Sequence, residues 1–121
     1  MAKNIMVVDD AVSMRGLVSM ALRNNGYDVV EASDGKDALI KLAGHKVDMI
    51  VTDLNMPNMD GLQFLTEVRA NEDWKNLPVL MITTEGSQAK VMEAAQLGAT
   101  GYVRKPFTAE QIKEKLATIH F

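Results

Sequence analysis

The sequence predicts an α/β protein in which helices cover both faces of a five-stranded parallel sheet. Short apolar runs recur along the chain, stretches with helical spacing separate them, and capping or turn residues mark many of the boundaries. This alternation gives five β-α units in succession, which is typical of a doubly wound parallel sheet. Crossovers between parallel strands are right-handed, so few topologies remain.

The predicted strands differ in how continuous their apolar runs are. Three of them are uninterrupted, which is typical of strands buried on both faces of a parallel sheet. The second alternates more and fits an edge strand, and the fifth is short. In chain order these strands contain residues 5–8, 27–30, 49–51, 79–82 and 102–103.

Apolar residues with helical spacing follow each strand. Asn25-Gly26 provides a stop for the first helix, and Asp60 provides an N-cap for the third. Thr108 and Gln111 have the spacing of a capping box at the start of the fifth. The predicted apolar faces contain Leu17, Val18, Ala21 and Leu22; Ala38, Leu39, Leu42 and Ala43; Leu62, Leu65 and Val68; Val91, Ala94, Ala95 and Leu97; and Ile112, Leu116 and Ile119.

The elements suggest one flavodoxin-like (βα)5 unit. We favour the strand order 2-1-3-4-5, one of the two common orders of doubly wound sheets. The 121 residues fit one domain of ordinary size, and no repeat, low-complexity stretch or linker interrupts them. We therefore predict a single domain over residues 1–121. The last helical apolar position, Ile119, lies two residues before the end, so we expect no second domain.

Composition and charge exclude several classes of protein. The chain has no cysteine, which rules out a disulfide framework and any cysteine metal site. Its net charge of −3 does not favour a broad nucleic-acid interface. The apolar run 5–8 ends at two aspartates, so it is too short for a signal peptide or a membrane span. We expect a cytoplasmic monomer that binds neither nucleic acid nor membranes.

Polar residues follow the strands where their carboxyl ends are expected to meet. In open α/β sheets, ligands bind at this edge, at the point where the winding reverses. Strands 1 and 3 are neighbours in the favoured order, so the acids that follow them should converge. In chain order the residues concerned are Asp9 and Asp10, Asp53 and Asn55, Thr83, and Lys105.

Three aspartates and one lysine leave an excess of negative charge in a partly dry crevice. Like charges disfavour ionisation, and a Mg²⁺ ion with oxygen ligands would remove the conflict. Carboxylates are also nucleophiles that form aspartyl phosphates. Lys105 and the Thr83 hydroxyl could then bind oxygens of a phosphoryl group. The sequence therefore predicts metal-dependent phosphorylation of an aspartate.

Each of these residues also has an ordinary structural explanation. Asp10 could cap the first helix, and Asp53 could be a turn residue at a strand end. Thr83 is a common type of strand-end residue, and Lys105 could be a solvated surface lysine. The functional hypothesis depends on all of them meeting in one place.

Together the residues resemble the signature of the response-regulator receiver family, over residues 5–116. No single piece is decisive, but the ordered set at these separations is highly specific. The favoured strand order is also the known order of this family. The resemblance rests on Val8-Asp9-Asp10, Thr52-Asp53-Leu54-Asn55-Met56-Pro57, Asp60-Gly61, Thr83 and Gly101-Tyr102-Val103-Arg104-Lys105-Pro106-Phe107.

The resemblance implies that Asp53 is the phospho-acceptor and that Mg²⁺ is the cofactor. The side chains of Asp10 and Asp53 are expected to bind the ion, together with the backbone carbonyl of Asn55. Asp9 is expected to support the ion through water. Lys105 is the expected phosphoryl contact.

The resemblance also implies a conformational switch made by Thr83 and Tyr102. Phosphorylation is expected to draw Thr83 toward the phosphoryl group and Tyr102 into a buried rotamer. The face formed by helix 4, strand 5 and helix 5 would then change and bind a target. The peptide bond between Lys105 and Pro106 is expected to be cis, as is usual in the family.

Among receivers, the chain is similar to the single-domain chemotaxis type, CheY. Asn55 and Glu85 lie at positions that set the dephosphorylation rate in this family. Thr84 stands where a smaller residue is common, and Leu54 stands where the enteric chemotaxis protein has tryptophan. The expected partners are a CheA-like histidine kinase as phosphodonor and a target such as the flagellar motor switch, with room for a phosphatase. The alternatives are a phosphate sink or a pathway other than chemotaxis.

Other functions fit the residues less well. A phosphohydrolase of the haloacid-dehalogenase type also uses an aspartate nucleophile, but it needs an acid where this chain has Asn55. A flavodoxin-like electron carrier needs a phosphate-binding loop where Asp9-Asp10 would repel the phosphate. A degenerate receiver that acts only as a scaffold would be expected to lack part of the acceptor site. We therefore expect a phospho-acceptor rather than a turnover enzyme.

Overall fold

The computed structural model of the protein describes residues 3–83, 88–105 and 107–119. These residues alternate between strands and helices, as the sequence predicts. The strands are β1 (Asn4–Val8), β2 (Asp28–Ala32), β3 (Met49–Asp53), β4 (Val79–Thr83) and β5 (Gly101–Arg104). The helices are α1 (Val12–Asn24), α2 (Gly35–Gly44), α3 (Gly61–Ala70), α4 (Gln88–Gln96) and α5 (Ala109–Ala117).

The strands form one parallel sheet in the order β2-β1-β3-β4-β5, which confirms the predicted topology. β2 is an edge strand, as predicted, but it extends beyond residue 30. The reason is its register: Val8, the last residue of β1, lies opposite Ala32, so pairing continues through Glu31. Apolar patterning alone ended this strand too early, because Glu31 is charged.

Side chains of the sheet divide into two apolar clusters, one on each face. On one face, residues such as Met6, Ile50 and Met81 pack with Phe64 and with other residues of α2, α3 and α4. On the other face, residues such as Ile5 and Val51 pack with residues of α1 and α5. Successive residues of a strand point to opposite faces, so the apolar runs of β1 and β3 contribute to both clusters.

The helical periodicity identified the helices correctly but made their buried faces too wide. Leu17, Ala43 and Ala95, each predicted to face the core, are exposed. Each helix contacts the sheet on one side only, so a narrower stripe of apolar residues is enough to cover that contact. The fifth helix also ends before Ile119: the Thr118 side chain and backbone N–H both donate to the Lys115 carbonyl, and Ile119 is buried beyond the helix end.

Side-chain caps begin three of the four helices whose N-cap residues the structure describes. Asp60 and Gln63 form a capping box at α3, and Thr108 and Gln111 form one at α5, which confirms both predicted caps. Asp34 caps α2 by accepting a hydrogen bond from a backbone N–H of the first turn. None of the described helices has both the length and the apolar character needed to cross a membrane.

Arg69, in the last turn of α3, joins three parts of the chain. Its Nη1 donates to the carbonyl oxygens of Leu77, at 2.7 Å, and Lys75, at 3.1 Å. Its Nε and Nη2 both donate to the carbonyl oxygen of Gly98, beyond the end of α4, at 3.1 and 2.8 Å. The guanidinium therefore ties α3 to the segment before β4 and to the carboxyl end of α4.

Arg69→Met should lower the free energy of unfolding by about 1.5–3 kcal/mol, because it removes the charged donor from the part-buried Leu77 carbonyl and from two exposed carbonyls. Arg23→Met is a matched control. Arg23 also lies in the last turn of a helix, but its side chain is 54% exposed and its contact with Glu31 is long, with Nη2 3.8 Å from Oε2. Its loss should cost no more than about 0.5 kcal/mol. Urea denaturation measures both, and equal losses would contradict the role given to Arg69.

Candidate functional site

Three aspartates meet at the carboxyl ends of β1 and β3. Asp9 and Asp10 follow β1, and Asp53 ends β3. One carboxylate oxygen from each lies within 4.8 Å of the others. The structure thus brings together the three acids that the sequence places after adjacent strands, at the edge where the direction of winding reverses.

Asp9 is buried, and hydrogen bonds fix both its side chain and its backbone. Its Oδ1 accepts from the Ala11 N–H at 2.9 Å, and its Oδ2 accepts from Lys105 Nζ at 3.1 Å. Its N–H donates to the Ala32 carbonyl, and its own carbonyl accepts from Arg15 Nη1 at 2.7 Å. Asp9 is therefore held rigidly.

Sequence analysis missed Arg15. Besides the Asp9 carbonyl, its guanidinium binds Glu31 at the end of β2, with Nε 3.1 Å from Oε1. A side chain that is only 17% exposed thus links α1, β1 and β2 beside the acidic cluster. The signal in the sequence is weak, because a single arginine on an amphipathic helix normally lies in solvent.

Asp53 is also buried, with 8% of its surface exposed. Its Oδ1 accepts a hydrogen bond from the Leu54 N–H at 2.8 Å, and its Oδ2 lies 3.4 Å from Lys105 Nζ. Burial raises the pKa of the Asp53 carboxyl, and the charge of Asp9 raises it further. Lys105 and the Leu54 N–H act in the opposite direction without cancelling the increase.

Asp10 does not cap α1. The N-cap residue of α1 is Ala11, which makes no side-chain cap. The alternative explanation, that Asp10 is present to cap the first helix, is therefore wrong. Its exposed side chain instead lies in the acidic cluster. The alternative for Lys105 is wrong as well, because its side chain is only 10% exposed and bridges Asp9 and Asp53.

The acidic cluster has the chemistry of a site for a hard divalent cation. Three carboxylates face a single ammonium group, which leaves an excess of negative charge in a partly buried position. Mg²⁺ prefers oxygen ligands and retains several waters, so one or two carboxylates are sufficient to bind it. The donor set and the spacing of the acids therefore fit this ion.

The loop between β3 and α3 closes tightly against the site. Gly61 N–H donates to the Leu54 carbonyl at 2.7 Å. A Cβ at Gly61 would collide with the carbonyl oxygen of Asp53 and lie 2.8 Å from the Leu54 Cα, so no other residue fits without movement. Asn55, whose carbonyl is the predicted ligand, lies exposed in this loop.

Some predicted site residues lie outside the described part of the chain. These are Thr84, Glu85 and Pro106, together with the side chain of Thr83. The backbone of Thr83 is described: it is the last residue of β4 and pairs with Arg104 of β5. Tyr102 is half-buried in β5, where it packs against the core cluster that contains Phe64.

Tyr102 also lines a surface groove of about 420 Å³. Arg104 and Lys105 line the groove from β5 and the residues after it, and Gln111 and Lys115 line it from α5. The groove therefore begins at the lysine that contacts the acids and continues onto the helix beside β5.

An open, doubly wound sheet binds ligands in the crevice where its direction of winding reverses, and the three acids lie at that crevice. Comparison with known families defines the class further. Residues 5–117 match the response regulator receiver domain, and the chain belongs to this family. Members of the family are signalling proteins that bind Mg²⁺ at an acidic pocket, accept phosphate from histidine kinases and act on downstream targets.

Individual relatives agree with this assignment. The chain is 48% identical to chemotaxis protein CheY-3 of Vibrio cholerae, over 95% of this chain and 89% of the relative. It is 47% identical to chemotaxis protein CheY of Pseudomonas aeruginosa, over 95% and 94%. The structure of V. cholerae CheY4 matches with a TM-score of 0.94 and 39% identity, over 99% of this chain and 100% of that one.

The raised pKa of Asp53 predicts how its replacement changes stability with pH. Because the folded-state pKa lies above the unfolded value, stability falls as pH rises through this interval, and the ionised carboxylate is destabilising at neutral pH. Asp53→Asn should therefore raise the melting temperature by a few degrees at pH 7 without divalent ions. The gain should disappear once the pH falls below the unfolded pKa of the carboxyl.

Asp28→Asn controls for the general effect of removing one acid. Asp28 is exposed and begins β2, so it lies at the amino ends of the strands, whereas the acidic cluster lies at their carboxyl ends. Its replacement should leave the melting temperature nearly unchanged across the same pH range. A lower melting temperature for Asp53→Asn at pH 7 would show that the carboxylate is not destabilising.

Proposed function

We propose that the protein is a phosphorylation-activated response regulator of a two-component system that accepts a phosphoryl group on Asp53. The observation that carries the proposal is the arrangement of Asp53 between Lys105 and the other two acids. Asp53 and Asp9 are both buried, and each carboxylate contacts a backbone N–H and Lys105. Asp53 Oδ2 is the less tightly held of the two, because it lies 3.4 Å from Lys105 Nζ, whereas Asp9 Oδ2 accepts a hydrogen bond from that nitrogen at 3.1 Å. Asp53 is thus both oriented and paired with a cation able to bind a phosphoryl oxygen.

Asp10 and Asp53 would hold Mg²⁺ through their side chains, with the backbone carbonyl of Asn55 as a further ligand and Asp9 acting through water. When bound, the ion supplies charge neutralisation for a transferring phosphoryl group. Asp9 suits an indirect role, because Ala11 and Lys105 already occupy its two carboxylate oxygens. Asp10 suits direct binding, because its side chain is exposed at the mouth of the cluster.

The transfer itself needs little beyond this arrangement. A carboxylate oxygen of Asp53 forms a bond to phosphorus as the bond between phosphorus and the donor's imidazole nitrogen breaks. The electron pair of the broken bond stays with the imidazole, and Asp53 becomes an acyl phosphate. Lys105 shifts from pairing with the carboxylates toward the phosphoryl oxygens, because the carboxylate of Asp53 gives up its charge and the phosphoryl group carries about −1.5 to −2.

The same residues would catalyse phosphorylation and dephosphorylation of the protein itself, without turnover of an external substrate. A haloacid-dehalogenase-type phosphohydrolase requires a general acid where this chain has Asn55, an amide that cannot transfer a proton at neutral pH. Asn55 and Glu85 are instead proposed to set the rate at which the phosphate is lost.

Activation is proposed to pass from the site to the face formed by α4, β5 and α5. Thr83 and Tyr102 are the proposed switch pair, and the groove beside Tyr102 connects Lys105 to α5. A target shifts this equilibrium only through different affinities for the two states. We therefore expect the target to bind the phosphorylated form more tightly.

Chemotaxis is the proposed pathway, because the relatives cited above carry that function in their names. A CheA-like histidine kinase is the proposed phosphodonor, and a flagellar motor switch protein the proposed target. A phosphate sink or another pathway is the alternative. Residues 1–121 are proposed to act as one cytoplasmic, monomeric receiver domain.

Labelling with acetyl phosphate tests the proposed acceptor and its dependence on metal. The protein should incorporate one phosphoryl group when Mg²⁺ is present, and EDTA should prevent incorporation. Asp53→Asn should abolish labelling, and Asp10→Ala should reduce it at least tenfold, because the metal loses a ligand. Intact-protein mass spectrometry measures each stoichiometry. Asp28→Asn should be labelled like the wild type, and full labelling of Asp53→Asn would refute the proposed acceptor.

Beryllofluoride, a stable mimic of the phosphoryl group, tests the proposed switch. With Mg²⁺ it should shift the amide NMR signals of Tyr102 and of its neighbours in β5 and α5. The signals of residues 45–47, at the opposite edge of the sheet, should change little. Unchanged signals around Tyr102 in a protein that binds beryllofluoride would contradict the proposed path.

A further inference from the structure

The loop between β3 and α3 contains an unusual backbone conformation. Asn58 has a φ of 68° and is the one non-glycine residue with a positive φ in the part of the chain that the structure describes. The N–H of Met59 donates to the Pro57 carbonyl at 2.7 Å, so the chain reverses in a three-residue turn centred on Asn58. Such turns are rare and strained, and strain of this kind persists only where the surroundings enforce it.

The Asn58 side chain ties this turn to a different loop. Its Nδ2 donates to Asp34 Oδ2 at 3.1 Å. The other oxygen of Asp34 accepts from the Asp37 N–H at 2.8 Å, which caps α2. These two hydrogen bonds hold the pKa of Asp34 below its usual range, the Asp37 N–H having the larger effect. One carboxylate therefore fixes both the start of α2 and the turn at Asn58.

Packing reinforces the same contact. Gly35, the first residue of α2, lies under the side chain of Met59, and a Cβ at this position would be 2.9 Å from Met59 Cγ. At the other end of the loop, Gly61 is bonded to Leu54. The backbone between Leu54 and Gly61 is thus held at both ends and at its central turn.

We infer that Asp34 and Asn58 are positioning residues for the metal site, acting through the backbone of Asn55. This inference rests on the proposed function, in which the Asn55 carbonyl is a ligand. Asn55 lies between the fixed Leu54 and the strained turn, so the direction of its carbonyl depends on both. The hydrogen bond from Asn58 to Asp34 keeps the turn in place before the metal arrives.

The expected effect on metal affinity follows from the population of the correct loop conformation. If only a fraction of the molecules has the loop in place, the apparent dissociation constant rises in inverse proportion to that fraction. A hydrogen bond to a charged group on the surface is a modest constraint. Its loss should weaken Mg²⁺ binding about three- to tenfold.

Two variants remove the hydrogen bond while keeping the local fold. Asn58→Gly retains a residue that adopts positive φ easily, and Asp34→Ser retains a good N-cap for α2. Each should raise the Mg²⁺ dissociation constant about three- to tenfold, measured from amide NMR shifts during a Mg²⁺ titration. The double variant should lose no more than the single ones, because both remove the same contact. Metal-free melting temperatures should change by only a few degrees.

Exchanging the two residue types should restore the contact. Asp34→Asn combined with Asn58→Asp keeps the net charge, the cap and a tolerated turn residue, and it reverses the direction of the hydrogen bond. Its Mg²⁺ affinity should lie within about twofold of the wild type. Asn71→Gly, in the loop after α3, is the matched control and should bind Mg²⁺ normally.

Wild-type affinity in both single variants, additive losses in the double variant, or no recovery in the exchanged pair would each overturn the inference. These results are distinguishable from failure of the proposed function. If acetyl phosphate does not label the wild-type protein, the function is wrong whatever the loop variants do. If the wild type is labelled and the variants bind Mg²⁺ normally, only the role of Asp34 and Asn58 is wrong.

Discussion

The confinement of three carboxylates around one lysine is the constraint on which the site depends. Burial raises the pKa of the Asp53 carboxyl, and the nearby charge of Asp9 raises it further. Lys105 relieves part of the conflict through both Asp9 and Asp53. The site is therefore electrostatically unsatisfied at rest, which gives it a strong preference for a divalent cation.

The fold holds these charges together despite their repulsion. β1 and β3 are central strands, buried on both faces, and they contribute apolar side chains to both clusters. Moving the acids apart would require separating two strands that the whole core holds in register. Stability invested in the apolar core thus offsets the electrostatic cost at the edge of the sheet, as is common at functional sites.

Much of this arrangement could be predicted from sequence, because it depends on local patterns. Apolar runs and helical spacing located the elements, and the strand order placed Asp9, Asp10 and Asp53 at one edge. Contacts that depend on exact backbone geometry could not be predicted in this way. Arg15 reaches the Asp9 carbonyl with its guanidinium also bound to Glu31 of β2, and the positive φ of Asn58 accompanies a hydrogen bond to Asp34 in a different loop.

The bonds of Arg69 to Gly98 have a mechanical consequence for α4. They anchor the carboxyl end of this helix to α3, at the edge of the sheet opposite the acidic cluster. The amino end of α4 follows β4 on the side of the cluster. A displacement of α4 that keeps both bonds to the Gly98 carbonyl must therefore pivot near Gly98, whereas a translation of the whole helix along the sheet would break them.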